Sequence, residues 1–436
     1  MTDQPKIITR INPRIGLALS GGGFRAAVFH LGILRRLAEE NWLNKVDVMS
    51  TVSGGSIVGA FAALRWGKVL EDGGSWLALK EHIVDPFLLQ VQKHNFIRDW
   101  LLRFPTIPLC KGDRTFTRTK LAAKIYSRRF FNEKYCDELP DKPLLVLNAT
   151  CMKSIRSWRF TREGHGCSRI GHAPWDKQTL SVGECVGASA AFPPVFTPAR
   201  IDSENYRFSE PIYHEEPLDV PRFIALSDGG VYENLGSEVL TKEGGTQIPV
   251  DKILEQPEYL IVSDAGYPPQ FRFRKSGIPG LSEILLLYRV DDIARTQVNA
   301  LRIKNLVSRF KDSDDPLKGV LCYLASNTDK TLLNGKNEYY KHVGIQHQIP
   351  HKILKKIQGI RTHLDKFSQV ECEALMYHAY TLADAAIWTF RHQNPHDFLV
   401  SDEPDPEWKI EFTLDKIKEW DEGLKKSHKL RILRPR

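Results

Sequence analysis

Short continuous apolar runs alternate along this chain with stretches whose apolar positions recur every three or four residues. After an irregular lead-in at 1–14, the first run is Ile15-Gly16-Leu17-Ala18-Leu19-Ser20, the pattern of a parallel strand buried on both faces. It meets Gly21-Gly22-Gly23-Phe24-Arg25-Ala26. A helix follows, with Val28, Leu31, Leu34 and Leu37 or Ala38 on one face and Arg35, Arg36, Glu39 and Glu40 on the other. A second strand, Val46-Asp47-Val48-Met49, runs into Ser50-Thr51-Val52-Ser53-Gly54-Gly55-Ser56, and a small-residue helix leaves at 57–64. Further strands are expected at 144–150 and 157–161, a loop at 162–180, and a tightly packed helix at 182–191 ended by Phe192-Pro193-Pro194. Residues 223–227 and 259–263 read as strands, 285–309 as a helix and 320–324 as a last strand. A clear helix spans 374–390, with Leu375, Ala379, Leu382, Ala386 and Phe390 on one face. No internal repeat is present.

This alternation predicts an α/β fold with a mostly parallel central sheet flanked by helices. The expected organisation is a core at 13–270 with a cap-like helical insertion at about 70–140. An added α/β and helical region at 271–395 packs on that core as a helical C-terminal extension. Residues 396–436 read as a Pro- and acid-rich linker followed by a basic tail.

The chain has 436 residues, 42% of them hydrophobic, which is enough for a sizeable core. Its formal charge is +8 with a pI near 9.0, a surplus that favours an anionic partner such as a membrane surface or a nucleotide. Nucleic acid is not expected as a partner. The seven cysteines are scattered without CxxC or Cys/His spacing. That suggests neither a disulfide framework nor a metal site, and it fits a reducing cytosol. No cofactor is implied. The N-terminus lacks the apolar core of a signal peptide and no run of 18 apolar residues occurs. The expected location is therefore cytoplasmic, peripheral at the inner face of the membrane when active. Residues 85–104 interleave apolar and aromatic positions, Phe96 and Trp100 among them, with Lys93, His94, Arg98 and Arg103. They read either as a cap packed on the core or as an interfacial element that dips aromatics into a bilayer.

Three turns carry the chemistry. Gly21, Gly22 and Gly23 lie between a strand and a helix N-terminus, where backbone amides and the helix dipole make an anion site. A phosphate, a dinucleotide or the oxyanion of an acyl-transfer intermediate would each fit, although the lysine of a phosphate-binding P-loop is absent. The second turn puts Ser53 where a nucleophile elbow has its serine, with Gly54 and Gly55 after it. Thr51 stands where that pattern usually has glycine, and Ser50 and Ser56 are rivals off the strand-to-helix junction. The third is Asp228-Gly229-Gly230, with Asp264-Ala265-Gly266 competing for the same role. Together they fit acyl transfer. Ser53 attacks a carbonyl, and Asp228 takes its proton directly or through a water. Amides of Gly21, Gly22, Gly23 and Gly54 hold the oxyanion. Arg25, Thr51, Gly55, Gly229 and Gly230 support these turns.

In combination the motifs resemble the patatin-like phospholipases, a family with a G-G-G-x-R-G cradle, a G-x-S-x-G elbow and a D-G-[AG] motif. Here Ala26 replaces the last cradle glycine and Thr51 the first elbow glycine. Asp228-Gly229-Gly230 runs on into Val231-Tyr232-Glu233-Asn234-Leu235-Gly236, and Ala188-Ser189-Ala190-Ala191-Phe192-Pro193-Pro194 matches the family's small-residue helix before a proline turn. The resemblance covers about 13–270. It implies a patatin-like fold, a Ser–Asp dyad without histidine, and phospholipase A-type cleavage of membrane phospholipids. It gives Arg25 a role in holding the loop or meeting a lipid phosphate. Some bacterial relatives are membrane-degrading effectors of anti-phage defence switched on by cyclic nucleotides. By extension a cyclic nucleotide activator is expected, together with a homo-oligomer formed through the apolar face of 375–390. Two alternatives stay open. One is a Ser-His-Asp esterase using His342 or His347. The other is a non-catalytic phosphate- or nucleotide-binding module, which would have no need of both Ser53 and Asp228.

Overall fold

The structure, a computed structural model, describes residues 9–103, 115–210, 218–249, 252–266, 281–332, 335–393 and 406–429, with the backbone alone for 281–285 and 288. The strands are β1 (Thr9–Ile11), β2 (Ile15–Leu19), β3 (Val46–Val52), β4 (Leu144–Cys151), β5 (Arg156–Phe160), β6 (Gly164–Cys167), β7 (Gly171–Pro174), β8 (Ala199–Asp202), β9 (Phe223–Asp228), β10 (Thr246–Ile248), β11 (Lys252–Leu254), β12 (Tyr259–Asp264) and β13 (Lys318–Tyr323). Around them lie α1 (Gly23–Glu39), α2 (Gly54–Ala63), α3 (Trp66–Glu71), α4 (Trp76–Leu79), α5 (Asp85–Lys93), α6 (Phe96–Leu101), α7 (Arg118–Phe130), α8 (Val182–Ser189) and α9 (Glu238–Thr241). The C-terminal helices are α10 (Leu281–Lys311), α11 (Thr328–Leu332), α12 (Lys336–Val343), α13 (His351–Gln358), α14 (Gln369–Gln393) and α15 (Leu414–Gly423).

Five parallel strands form the spine of the main sheet, in the order β13–β12–β2–β3–β4. Every residue of β2 is buried, as its unbroken apolar run requires of a strand covered on both faces. The antiparallel strands β5, β6 and β7 extend the sheet beyond β4. β6 and β7 form a hairpin within the stretch expected to be a loop. Their side chains are short or histidine, so the period-2 apolar signal of a strand is missing. His165 and His172 are nonetheless fully buried there.

The register explains the site. β3 runs along one edge of β4 until Val52 stands opposite Asn148. β9 arrives from the other direction along that same edge, with Asp228 opposite Ala149. The far edge of β4 is occupied by β5. β3 and β9 thus meet end to end, one register step apart. The serine thus arrives on a parallel strand and the carboxylate on an antiparallel one.

One hydrophobic core runs from Ile15 to Leu424 and includes the C-terminal region. α1 is buried on nearly every side because the sheet covers one face and α14 the other. The Arg36 guanidinium pairs with Asp384 at 2.7 Å and Glu40 at 2.5 Å, and Arg391 and Tyr380 of α14 bind Glu40 and Glu39. Leu375, Ala379, Leu382, Ala386 and Phe390 are all buried inside the chain. The expected oligomer contact on this face is therefore corrected: its occupant is the chain's own core. Phe96 and Trp100 are likewise buried, Phe96 stacked on Tyr126 with ring centroids 4.4 Å apart and Trp100 against Phe196 at 4.8 Å. Within 85–103 these two aromatics pack as a cap on the core, while Leu89, Leu101 and Leu102 stay exposed. Residues 406–429 are neither linker nor tail, since Trp420 and Leu424 are buried and Trp408 packs on Tyr377 and Tyr380. The rest of the expected linker and tail, 396–405 and 430–436, lies outside the described residues. Among the described residues no helix is long and apolar enough to cross a membrane.

Candidate active site

Ser53 directly follows β3 and caps α2 with φ 51° and ψ −115°, a conformation an L residue holds only when its surroundings force it. The surroundings are crowded on the elbow's own terms. A Cβ on Gly55 would overlap the carbonyls of Leu19 and Ser20, and one on Gly54 would overlap the Gly23 backbone. Beneath the turn lies a relay of buried hydroxyls. Ser53 N–H donates to Ser189 Oγ at 3.0 Å, and Ser189 donates to the Asn148 carbonyl at 2.6 Å. With its only proton used, Ser189 accepts from Ser56 at 2.8 Å, and Ser56 in turn accepts from Thr51 at 2.9 Å. Thr51 and Ser56 are therefore members of the support, and Ser56 is committed to it. Ser50 accepts from Asn148 Nδ2 at 2.9 Å. Neither rival serine lines the cavity that Ser53 lines.

Asp228 ends β9 beside it. Its Oδ1 accepts the Gly230 amide at 2.7 Å, while Oδ2 is buried without a hydrogen-bond partner. Burial pushes this carboxyl up to about 6; the neighbouring Ser53 hydroxyl, the Gly230 amide and the Arg295 guanidinium hold it from rising further. The hydroxyl is near enough to favour the carboxylate yet does not form a fully aligned hydrogen bond with it. A Cβ on Gly229 would overlap the Asn148 carbonyl, so the Asp-Gly-Gly turn packs against the strand that β3 and β9 share.

Ser53, Asp228, Gly21, Gly22, Gly23 and Gly54 line one cavity of about 470 Å³. Gly22, Gly23 and Gly54 stand at the starts of α1 and α2, where a helix has no acceptor of its own. Among the described residues no other acceptor takes their amides. Gly21 differs from the expectation: its N–H donates to the Asn234 carbonyl at 3.0 Å and is not free to meet an oxyanion. Gly23, at φ 59°, passes so close to the Thr362 carbonyl that a side chain there would overlap it. Arg25 is fully buried and does not line the cavity. Its guanidinium donates to the carbonyls of Ala265 at 2.8 Å and Ile360 at 3.0 Å, so its role is to hold the loops.

Asp264 lies apart. Its Oδ1 accepts the Gly266 amide at 2.7 Å, and it does not line the cavity. His342 and His347 are also absent from the lining. His363 is present in it, with burial lowering its pKa. The sequence reading missed this wall: Thr362, His363 and Leu364 on one side, and Asp292, Arg295, Asn299 and Arg302 of α10 on another. No strand-to-turn motif marks these residues, so nothing local could have found them. Among the described residues no His, Cys, Asp or Glu cluster could hold a metal ion. The six described cysteines are free and buried.

A sheet with a parallel spine that presents a serine on a strained strand-to-helix turn, beside a buried carboxylate and open amides, gives an α/β protein with the geometry of a nucleophile elbow. The chain belongs to the patatin-like phospholipase family, whose profile matches residues 17–241, more than half of its length. No curated protein sequence matches it. Among solved structures, human GIVD cytosolic phospholipase A2 aligns with a TM-score of 0.50 at 11% identity, covering 87% of this chain and 63% of that one. The same human protein in complex with methyl gamma-linolenyl fluorophosphonate aligns with a TM-score of 0.47 at 13% identity, covering 88% and 60%. The chain thus spans about three fifths of the length of these structures.

Proposed function

We propose that this protein is a lipid acyl hydrolase that cleaves ester bonds of phospholipids through a Ser53 acyl-enzyme, with Asp228 as general base. The observation that carries the reading is the end-to-end meeting of β3 and β9. It brings the Ser53 hydroxyl and the unpartnered Asp228 Oδ2 into one cavity with the open amides of Gly22, Gly23 and Gly54. Ser53 Oγ attacks the ester carbonyl carbon and its proton passes to Asp228. The three amides take the charge that develops on the carbonyl oxygen, each such donor lowering the barrier by about 3–4 kcal/mol. Collapse expels the lysolipid alkoxide, which recovers the proton from Asp228. Water, deprotonated by the same carboxylate, then attacks the acyl carbon; the bond to Ser53 Oγ breaks, Asp228 returns the proton to that oxygen, and the fatty acid is released. Family membership supports the substrate class.

The test is fatty-acid release from mixed phospholipid vesicles by wild type beside Ser53→Ala. The reading expects release by the first and none above background by the second, with thermal unfolding nearly unchanged. Turnover retained in Ser53→Ala would overturn it. His363→Ala separates the dyad from a triad esterase. The dyad expects activity within about tenfold, a change of about 1.4 kcal/mol or less; a loss of several orders of magnitude would favour the triad.

A further inference from the structure

α10 carries apolar side chains outward. Leu286, Leu287, Val290, Ile293, Val298 and Leu301 are each between 44% and 70% exposed. At 3.6 residues per turn they fall within one sector of about 140°. Ala294 and Ala300 lie in or beside that sector, also exposed, and Asp291 and Gln297 are the exposed polar residues among the described side chains of 286–301. A helix on a water-soluble surface has the reverse pattern, and apolar surface of this extent marks an interaction site. The same face then continues as Lys304 and Lys311, both exposed. The opposite face of the helix lines the cavity that holds Ser53 and Asp228, through Asp292, Arg295, Asn299 and Arg302, and Ala294 and Val298 of the stripe reach the same cavity. Phe192 and Val195, both exposed, line that cavity too, and the Arg295 guanidinium lies 4.9 Å over the Phe192 ring.

We propose that the outer face of α10 is the surface by which this protein docks on a lipid bilayer, lying in the interface plane with its apolar stripe in the acyl boundary. Two features select lipid over a second copy of the chain. Four turns of apolar residues followed by lysines on the same face form the pattern of an interfacial helix, with cations placed to meet anionic headgroups. The stripe, about 24 Å long over 286–301, also backs directly onto the cavity, so docking brings an ester group to the mouth. The choice of lipid rests on the hydrolase reading.

The experiment uses the full chain and vesicles of phosphatidylethanolamine and phosphatidylglycerol. Leu287→Gln combined with Leu301→Gln changes two exposed residues outside the cavity lining. The vesicle-bound fraction and vesicle hydrolysis are expected to fall together by about tenfold or more. Hydrolysis of monomeric p-nitrophenyl butyrate should stay within about twofold of wild type. A fluorophore on Leu287→Cys should shift to shorter wavelength when vesicles are added. Unchanged vesicle binding in the double variant would overturn the proposal. So would a wild-type dimer in solution that the same substitutions convert to monomer, which would make the stripe a contact between copies. If the double variant loses vesicle binding while the wild type hydrolyses neither substrate, the docking surface stands and the hydrolase reading falls.

Discussion

At Ser53 the backbone sits where a non-glycine residue costs about 1–3 kcal/mol, and at Asp228 a carboxylate is buried with one oxygen unpartnered. Both costs fall on groups the proposed chemistry needs. The carboxyl prefers its proton in the folded chain, because burial raises it from 3.8 to about 6. A raised carboxyl pKa means that ionisation weakens the fold above the unfolded value, with the loss growing from about pH 4 to pH 6. Asp228→Asn should therefore be more stable than wild type at pH 8 in denaturant titrations, with the gap closing as pH falls to 4, while its activity is lost. Asp264→Asn, outside the cavity lining, should keep most activity. The base must be ionised, so kcat/KM should rise with pH through about 6. Arg295 favours the ionised form, so Arg295→Gln should move that limb to higher pH. A profile flat from pH 5 to 8 would remove Asp228 as the base.

Two strands aimed at one another along the edge of β4 are the device that joins nucleophile and carboxylate. The ends of both strands were legible in sequence, because an apolar run closed by Ser-Gly-Gly or Asp-Gly-Gly is a local pattern. Strand direction was not legible, since an apolar run reads the same either way. The apolar face at 375–390 gave the same ambiguity: periodicity says that it is covered and is silent on what covers it. Ser189 had been legible only as a small residue in a small-residue helix. In the structure it takes the Ser53 amide and anchors the hydroxyl relay. Ser189→Ala would leave that half-buried amide without its acceptor, at a cost of about 1–3 kcal/mol. The expected result is a modest fall in melting temperature and a larger fall in kcat than in 1/KM. Ser189→Thr, which keeps the hydroxyl, should recover part of it.

Across the whole molecule, the motif-bearing 17–241 does not complete the site by itself. α10 and the 362–364 loop wall the cavity. That loop is gripped by Arg25 through Ile360 and by Arg361, which is buried with Asp365 at 2.7 Å and Glu371 at 2.5 Å. Arg361→Met would strand two buried carboxylates and should cost about 3–5 kcal/mol in urea titrations. If Arg361→Met left stability and vesicle hydrolysis both unchanged, the C-terminal region would have no part in the cavity.

The claim that Ser53 is the nucleophile, served by Asp228, meets its most direct test in covalent labelling. The protein is treated with a long-chain alkyl fluorophosphonate, digested, and its peptides are read by mass spectrometry. The account predicts a single adduct on Ser53, absent in Ser53→Ala and formed at least about a hundredfold more slowly in Asp228→Asn. An adduct on Ser50, Ser56 or Ser189 in place of Ser53, or labelling of Ser53 at an undiminished rate in Asp228→Asn, would contradict it.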